Sequence, residues 1–436
     1  MSSSQRLVVS ELERDRYARV AEVRLGDKKI TTPHFFTLIR NPDEFQSLSE
    51  LMTENETPNI RGCVTRLFDA RKILGTHLAN MQQTRMDGLN EYVEESFRRF
   101  LEKTIIVIDP ATEYLYYECS LSRWIDDQKL PDPILTYIRR CLRQKEKLKS
   151  KEYPKWKEAY HIQFWHKISE NAPLRNQMIG DIFDLELAYR SSILLPPVPV
   201  IKSSRELEIS IKINEVAHGI SMGRTAECAS YFIIQKGVLD DEELLNKLTG
   251  YISNTPSRII VLKFKYLNLA SAGRIQQLRA YSDFLQQLAF LKETRKDKVL
   301  MVLENGYQLF PSTTVAFDFA STSMTGYDGD SKFGYGKYGS WFDPEQMVHV
   351  PFKDLRKVYR NNHNSLPCAH KICQNIDLGS IDPDSWNVRR RKHYVLTMND
   401  YMLMIAKAIK DRRIELAIDK LANSDLSRLK KLIPRV

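Results

Sequence analysis

No run of apolar residues approaches the ~18 that a membrane-spanning helix needs, so none is expected to cross a bilayer. The first twenty residues, MSSSQRLVVSELERDRYARV, hold no apolar h-region, so no secretory signal is expected. Cysteine is scarce, six in 436 residues. That is too few for a disulfide-built scaffold and, without a leader, points to a reducing, cytoplasmic setting. There is no internal repeat and no low-complexity tract. No G-x-G-x-x-G follows the first strand and no P-loop is present, which removes the usual sequence grounds for a nucleotide-binding open sheet.

What is present is ordinary in bulk: 42% hydrophobic and 28% charged residues, enough for a core of normal size. The charge balance is less ordinary. A formal net charge of +10 and a pI near 9.1 suit a polyanionic partner. Positive charge gathers in RRCLRQKEKLKSKEYPKWK (139–157) and in RRRK (389–392). The first cluster also carries Tyr153 and Trp156, which could lie against bases or sugar. A solvated basic helix accounts for such a run equally well.

Along the chain, strand-like and helix-like segments alternate. RYARVAEVRLGDKKITTPHFFTLI reads as a hairpin turning at Gly26-Asp27 and then a strand entering the core. TIIVID (104–109), ILLPPVPVI (193–201, weakened by its prolines), ASYFIIQKG (229–237), SRIIVLKFKYL (257–267), KVLMVLEN (298–305) and TTVAFDFAS (313–321) are short apolar runs of the kind buried on both faces of a parallel sheet. Amphipathic helices separate them, including DDEELLNKLTGYIS with acids in its first turn. The expected fold is α/β, a TIM (β/α)8 barrel with insertions and a C-terminal zinc-binding subdomain. An open doubly wound sheet is the other topology such alternation allows. The barrel is assigned residues 1–345, with a partly basic helical insertion at about 110–190. The zinc subdomain and closing helices take 346–436.

Near the C-terminal end stands Cys368-Ala-His370-Lys-Ile-Cys373, followed twenty residues later by His393 in KHYVLTMNDYM, where a helix is expected to begin. Two thiols and two imidazoles at this spacing are what a closed tetrahedral Zn2+ site needs; four unrelated residues, two of them ordinary buried cysteines, are the alternative. Four such ligands leave no position for water, so the metal is expected to be structural and the chemistry to lie elsewhere. In a barrel, chemistry gathers at the carboxyl ends of strands. That rule selects Asp109, Gln235, Glu304, Asn305 and Asp318. An acid beside strongly apolar strand residues is costly unless paired or functional. Two carboxylates across one mouth would serve glycosyl transfer by double displacement. A helix or turn cap is the commoner explanation of a single such acid. Gln235 offers both donor and acceptor to a heterocycle edge. The stretch 317–341, rich in Gly, Ser, Thr and aromatics, reads as a long functional loop.

Taken in order, these pieces resemble the tRNA-guanine transglycosylase family. The hairpin with ITTPHFF, the segment YFIIQKGVLDDEELLNKL, the pair VLMVLENGYQLFPSTTVAFDFAS, CAHKIC with His393, and the closing KHYVLTMNDYMLMIAKAIKDRRIELAI carry the likeness over most of the chain. The resemblance implies a TIM barrel with a zinc subdomain and exchange of guanine in a polynucleotide for a 7-deazaguanine. It implies Asp318 as nucleophile, Asp109 as general acid/base and base-recognition residue, Gln235 as reader of the purine edge, and Cys368, His370, Cys373 and His393 as Zn2+ ligands. The departures carry information. The family's D-S-G-G-F-Q has become Asp109-Pro-Ala-Thr-Glu-Tyr114, its Gly pair has become Lys236-Gly237, one cysteine ligand has become His370, and ILLPPVPVI lacks an acid. These changes are similar to those of the divergent DNA-guanine transglycosylases of bacterial and phage DNA-modification systems. That likeness implies DNA as substrate, 7-cyano-7-deazaguanine (preQ0) as incoming base, a flipped target guanine and partner proteins of a modification system; the resemblance to the tRNA enzymes allows a homodimer. The insertion and RRRK would hold phosphates. The same chemistry on tRNA, and a nucleic-acid-binding paralogue without catalysis, are the alternatives. The basic charge fits all three; retention of both acids speaks against the last.

Overall fold

The computed structural model describes residues 7–16, 18–53, 60–75, 78, 91–115, 130–265, 275–303, 316–323, 340–344, 348–359, 366, 368–374, 376 and 382–414. The chain opens with an antiparallel sheet of β1 (Leu7–Asp15), β2 (Ala18–Leu25) and β3 (Lys28–Thr31). Gly26, at φ +64°, makes the β2–β3 turn, in the left-handed region that glycine enters without penalty.

The main sheet follows: β4 (His34–Ile39), β5 (Gly62–Arg66), β6 (Ile105–Asp109), β7 (Ile193–Leu194), β8 (Val200–Ile201), β9 (Glu227–Cys228), β10 (Ser230–Gln235), β11 (Ile259–Lys265), β12 (Val299–Leu303) and β13 (Phe319–Ser323). All its pairings are parallel, in the order β8-β10-β11-β12-β13-β4-β5-β6-β7-β9, and the sheet is curled into a half-barrel. Both faces are covered, which is why its strands are near-continuous apolar runs. The expected strand 193–201 is split. Three prolines between 195 and 200 remove ladder N–H groups, leaving only its two ends as β7 and β8. Ala229 alone separates β9 from β10, and its N–H donates to Leu194 O at 3.0 Å.

Helices connect the strands: α1 (Pro42–Thr53), α2 (Glu91–Lys103), then α3 (Asp132–Lys147), α4 (Tyr153–Glu170) and α5 (Ala172–Ala188) between β6 and β7, α6 (Ser204–Ser221), α7 (Glu242–Asn254) and α8 (Ile275–Thr294). Asp241 caps α7 by accepting from Leu244 N at 3.0 Å, so the acids read from DDEELL do mark a helix start.

The C-terminal part builds a second, smaller core from Trp341, Val350, Leu355, Tyr359, Leu366, Cys373, Ile376 and Trp386. Trp341 and Val350 belong to the hairpin β14 (Ser340–Asp343) and β15 (Val348–Pro351). A boundary at 345 therefore falls inside a hairpin whose two strands share one core. Helix α9 (Pro383–Lys410) joins the two cores. Trp386 enters the small one, while Tyr394, Met398, Met402, Ile405 and Ile409 form a stripe at helical spacing in the main one. Each such side chain contributes about 2 kcal/mol when fully buried. His393 lies well inside α9, not at its start, because Asp382 caps the helix earlier by accepting from Ser385 N at 2.8 Å.

Candidate functional site

The carboxyl edge of the sheet holds a cluster of ionisable groups with no exposure at all. Asp109 is the last residue of β6. Ala111 takes φ +53°, which folds the backbone back so that its N–H donates to Asp109 Oδ1 at 2.9 Å. The short helical turn Thr112–Leu115 then carries Glu113 inward, pinned by Thr112 Oγ1 donating to Val198 O at 2.6 Å. From β11, Lys263 Nζ contacts Asp109 Oδ2 at 2.6 Å and also Glu113 Oε1. From β10, the Tyr231 hydroxyl donates to Asp109 Oδ1 at 2.9 Å. Burial pushes the Tyr231 phenol well above its ordinary pKa, with the Asp109 charge adding to the effect, so it remains a donor.

Cations ring this cluster. Arg66 ends β5, Lys265 ends β11, and both face the Tyr114 ring, at 4.6 and 5.2 Å from its centroid. Gln235 ends β10 at the same edge, in register with Lys265, and is half-buried. A further acid, Glu186 of α5, is fully buried. Its Oε2 accepts from Leu195 N at 3.0 Å, and its Oε1 has no hydrogen-bond partner among the described residues. Burial raises its carboxyl well above the usual range, against the opposing pull of the Leu195 N–H.

Asp318 is not part of this edge. It immediately precedes β13, and its carbonyl accepts from His34 N at the start of β4. In a parallel sheet this is the amino edge, a strand length away from Asp109, or roughly 15 Å at 3.3 Å per residue. There Arg19 of β2 grips the carboxylate from below, Nε to Oδ1 and Nη2 to Oδ2, both at 2.9 Å, and Leu300 N donates to Oδ2 at 2.9 Å. Both side chains are fully buried. Burial by itself would raise the Asp318 carboxyl, but Arg19, with Lys292 at 3.9 Å, outweighs it and holds the group below its ordinary value. The structure thus brings Asp109 and Gln235 to one edge and leaves Asp318 at the other. The reason is local: FDF turns into the strand only at Phe319, so the acid sits before the ladder and not along it. Glu304, Asn305 and most of the 317–341 loop lie outside the described residues.

Cys368, His370, Cys373 and His393 converge, with their ligand atoms all within 4.8 Å of one another. Cys368 Sγ lies 3.2 Å from the Nδ1 of both His370 and His393, and Cys373 Sγ lies 3.2 Å from His393 Nδ1. Tetrahedral zinc with Zn–S of about 2.3 Å and Zn–N of about 2.0 Å spaces such atoms about 3.5 Å apart. The outer contacts fit a metal. His370 Nε2 meets Asp400 Oδ2 at 2.8 Å and His393 Nε2 meets Phe342 O at 2.7 Å, so both rings turn Nδ1 inward as acceptor. Trp341 stacks on His393 at 4.7 Å. Hydrogen bonds from Cys373 and the two imidazoles pull the Cys368 thiol far down, which prepares a thiolate for a dication.

The two basic runs separate. In RRRK, Arg391 and Lys392 pair with Asp43 and Glu50 of α1, at 3.7 and 3.0 Å, and so serve internal docking. Across α3, α4 and their connection, Arg139, Arg140, Arg143, Lys147, Lys149, Lys151 and Lys155 are exposed. Tyr153 is buried in a stack with Trp156, which stacks in turn on Tyr160; only Trp156 and Tyr160 retain an accessible face. Arg140 lies 4.8 Å over the Tyr160 ring.

No family model and no curated protein matches the chain. The residues that sequence reasoning missed are Lys263, Glu113, Tyr231 and Glu186. Lys263 had a signal: a lysine inside IIVLKFK, an apolar run buried on both faces, is as anomalous as an acid there.

Proposed function

We propose that this chain is a DNA-guanine transglycosylase, which exchanges guanine in DNA for a 7-deazaguanine such as preQ0 at the carboxyl edge of a (β/α)8 barrel. Barrel closure is supported by the two end segments of the sheet order. β8 continues the interrupted stave begun by β7, and β9 continues into β10 across one residue. Counted that way, the parallel segments make eight staves. The observation that carries the functional reading is the fully buried group Asp109, Glu113, Lys263 and Tyr231 at the edge where a barrel does its chemistry. Base exchange needs an ionised nucleophile, a proton donor for the departing purine and exclusion of water. That group offers two carboxylates, a lysine and a tyrosine hydroxyl in one fully buried place. Gln235, at the same edge, offers a donor and an acceptor to a purine edge. The exposed cations of α3 and α4 suit phosphates, and Trp156 suits a displaced base.

Where Cys368, His370, Cys373 and His393 hold Zn2+, the ion contributes folding energy to the C-terminal subdomain. It has no open position for substrate, and its ligands belong to the smaller core.

Asp318 is not the nucleophile in this reading. A retaining pair of carboxylates stands about 5 to 5.5 Å apart, far less than the distance across the sheet. One observation favours a second reading, a nucleic-acid-binding protein without catalysis: Asp109 is held by three partners within the chain itself. Labelled guanine offered with duplex DNA or with tRNA separates the possibilities. Incorporation into DNA, reduced at least 100-fold by Asp109→Asn, supports DNA exchange. Incorporation into tRNA alone changes the substrate, and gel shifts without incorporation into either favour the second reading.

A further inference from the structure

We propose that a cavity at the amino edge of the main sheet binds a small phosphomonoester. The cavity encloses about 460 Å³ between the β3–β4 segment and the last turns of α9. Small-molecule sites run from roughly 300 to 1,000 Å³. Four cations line it: Lys29 of β3, Arg61 just before β5, and Lys407 and Lys410 of α9. Asp411 is the carboxylate set against them among the described residues. His34 is not a fifth cation. Burial and the Arg61 charge push its imidazole down to about 3, and its Nε2 accepts from Arg61 N at 3.2 Å. His34 begins β4 and Asp109 ends β6, so the cavity and the Asp109 group stand at opposite edges of a parallel sheet.

Helix stability accounts for part of this charge. Lys407 and Lys410 stand in the last turn of α9, where cations suit the helix dipole. It does not account for the facing wall. Arg61 Nη1 donates to the Lys29 carbonyl at 3.1 Å, which ties its guanidinium to β3. Lys29 pairs with Glu22, but Arg61, Lys407 and Lys410 pair with no carboxylate among the described residues. A second observation points to a ligand. Asn399 of α9 is only 7% exposed and lines the cavity, yet its side chain makes no hydrogen bond among the described residues. A buried amide without a partner is costly, and a molecule in the cavity can supply one. A phosphomonoester fits this donor set. It brings two charges to the cations, planar acceptors to the Arg61 fork and an oxygen to the Asn399 amide. Pro33, Met402 and Ala406 leave an apolar wall for the rest of the ligand.

Calorimetric titration of the full chain with phenyl phosphate near neutral pH tests the site. One equivalent should bind, and phenyl sulfate, a monoanion of the same shape, should bind roughly tenfold more weakly. Lys407→Ala/Lys410→Ala changes two exposed side chains, so it should keep the melting transition and lose roughly tenfold or more of the affinity. Lys149→Ala/Lys151→Ala removes the same charge from the exposed α3–α4 connection and should bind like wild type. Asn399→Leu should melt no lower, since the amide has no partner to lose, and should bind more weakly. Equal losses in the two lysine pairs would show general electrostatics and overturn the proposal. No saturable binding at millimolar phenyl phosphate would overturn it too, as would a lower melting temperature of Asn399→Leu with unchanged affinity. A single-stranded DNA oligonucleotide that displaces phenyl phosphate, and itself binds more weakly to Lys407→Ala/Lys410→Ala, would make the surface a polynucleotide contact and overturn the assignment to a small ligand. These outcomes leave base exchange untouched, because its residues lie at the other edge.

Discussion

Replacing Asp318 by Asn tests whether the buried acid below the sheet is a lock or a reagent. The side chain is fully buried, gripped by two Arg19 contacts at 2.9 Å and by Leu300 N at 2.9 Å. Arg19 also donates to the carbonyls of Lys296 and Lys298, at 2.7 and 2.5 Å, tying the hairpin sheet to the turn before β12. Asn keeps the shape but strands a buried guanidinium. Breaking one partner of a buried pair costs about 3 to 5 kcal/mol. The sign with pH is fixed by the depressed carboxyl. Its contribution is complete above the unfolded value of about 4 and is lost as pH falls through the folded value. Urea unfolding of wild type and Asp318→Asn at pH 7 and at successively lower pH measures this. The expected gap is largest at pH 7 and narrows in acid. In the double variant Arg19→Met/Asp318→Leu the loss should be well below the sum of the two single losses, since no charge is left unpaired. Wild-type stability of Asp318→Asn at pH 7, with base exchange abolished, would refute the reasoning and return Asp318 to the chemistry.

Four further outcomes follow from the geometry. The protein should carry one zinc per chain, and Cys373→Ala should release it and unravel the core around Trp341 and Trp386, seen as new protease cuts within 340–390. Asp400→Asn, which loosens only the His370 ring, should weaken zinc 10- to 100-fold without unfolding. Charge reversal of Arg139, Arg143 and Lys147 together should lower the salt dependence of DNA binding by about one unit of slope per lost phosphate contact. An equal change at Arg391 and Lys392 should act on stability, because those groups pair with α1.

The α/β alternation was legible because buried parallel strands are apolar runs, and the start of α7 because acids and a cap stand where the dipole wants them; the start of α9 was placed too late because its cap, Asp382, lies eleven residues before His393. The Cys/His centre was legible because its ligand types and spacing are rare. The interior of 193–201 was readable only in part: prolines announced a break but not where pairing would resume. Asp318 misled because a strand-end acid and an acid just before a strand look alike in sequence, and a shift of a few residues exchanges one edge of the sheet for the other. Its partner Arg19 is 299 residues away, so nothing local marked it as a lock. Lys263 and Glu113 were overlooked for the opposite reason. Glu113 looks ordinary in its own segment; the lysine inside the apolar run of β11 stands out there, but its partners appear only when β6 and β11 bring both residues onto Asp109.

Base exchange at the Asp109 edge would leave its product in DNA. The direct measurement is nucleoside analysis of DNA from cells that express the chain or its Asp109→Asn variant. A 7-deazaguanine deoxynucleoside present with the wild type and absent with the variant is the predicted result. Unmodified DNA in both, with the wild-type protein folded, zinc-replete and supplied with preQ0, would contradict it.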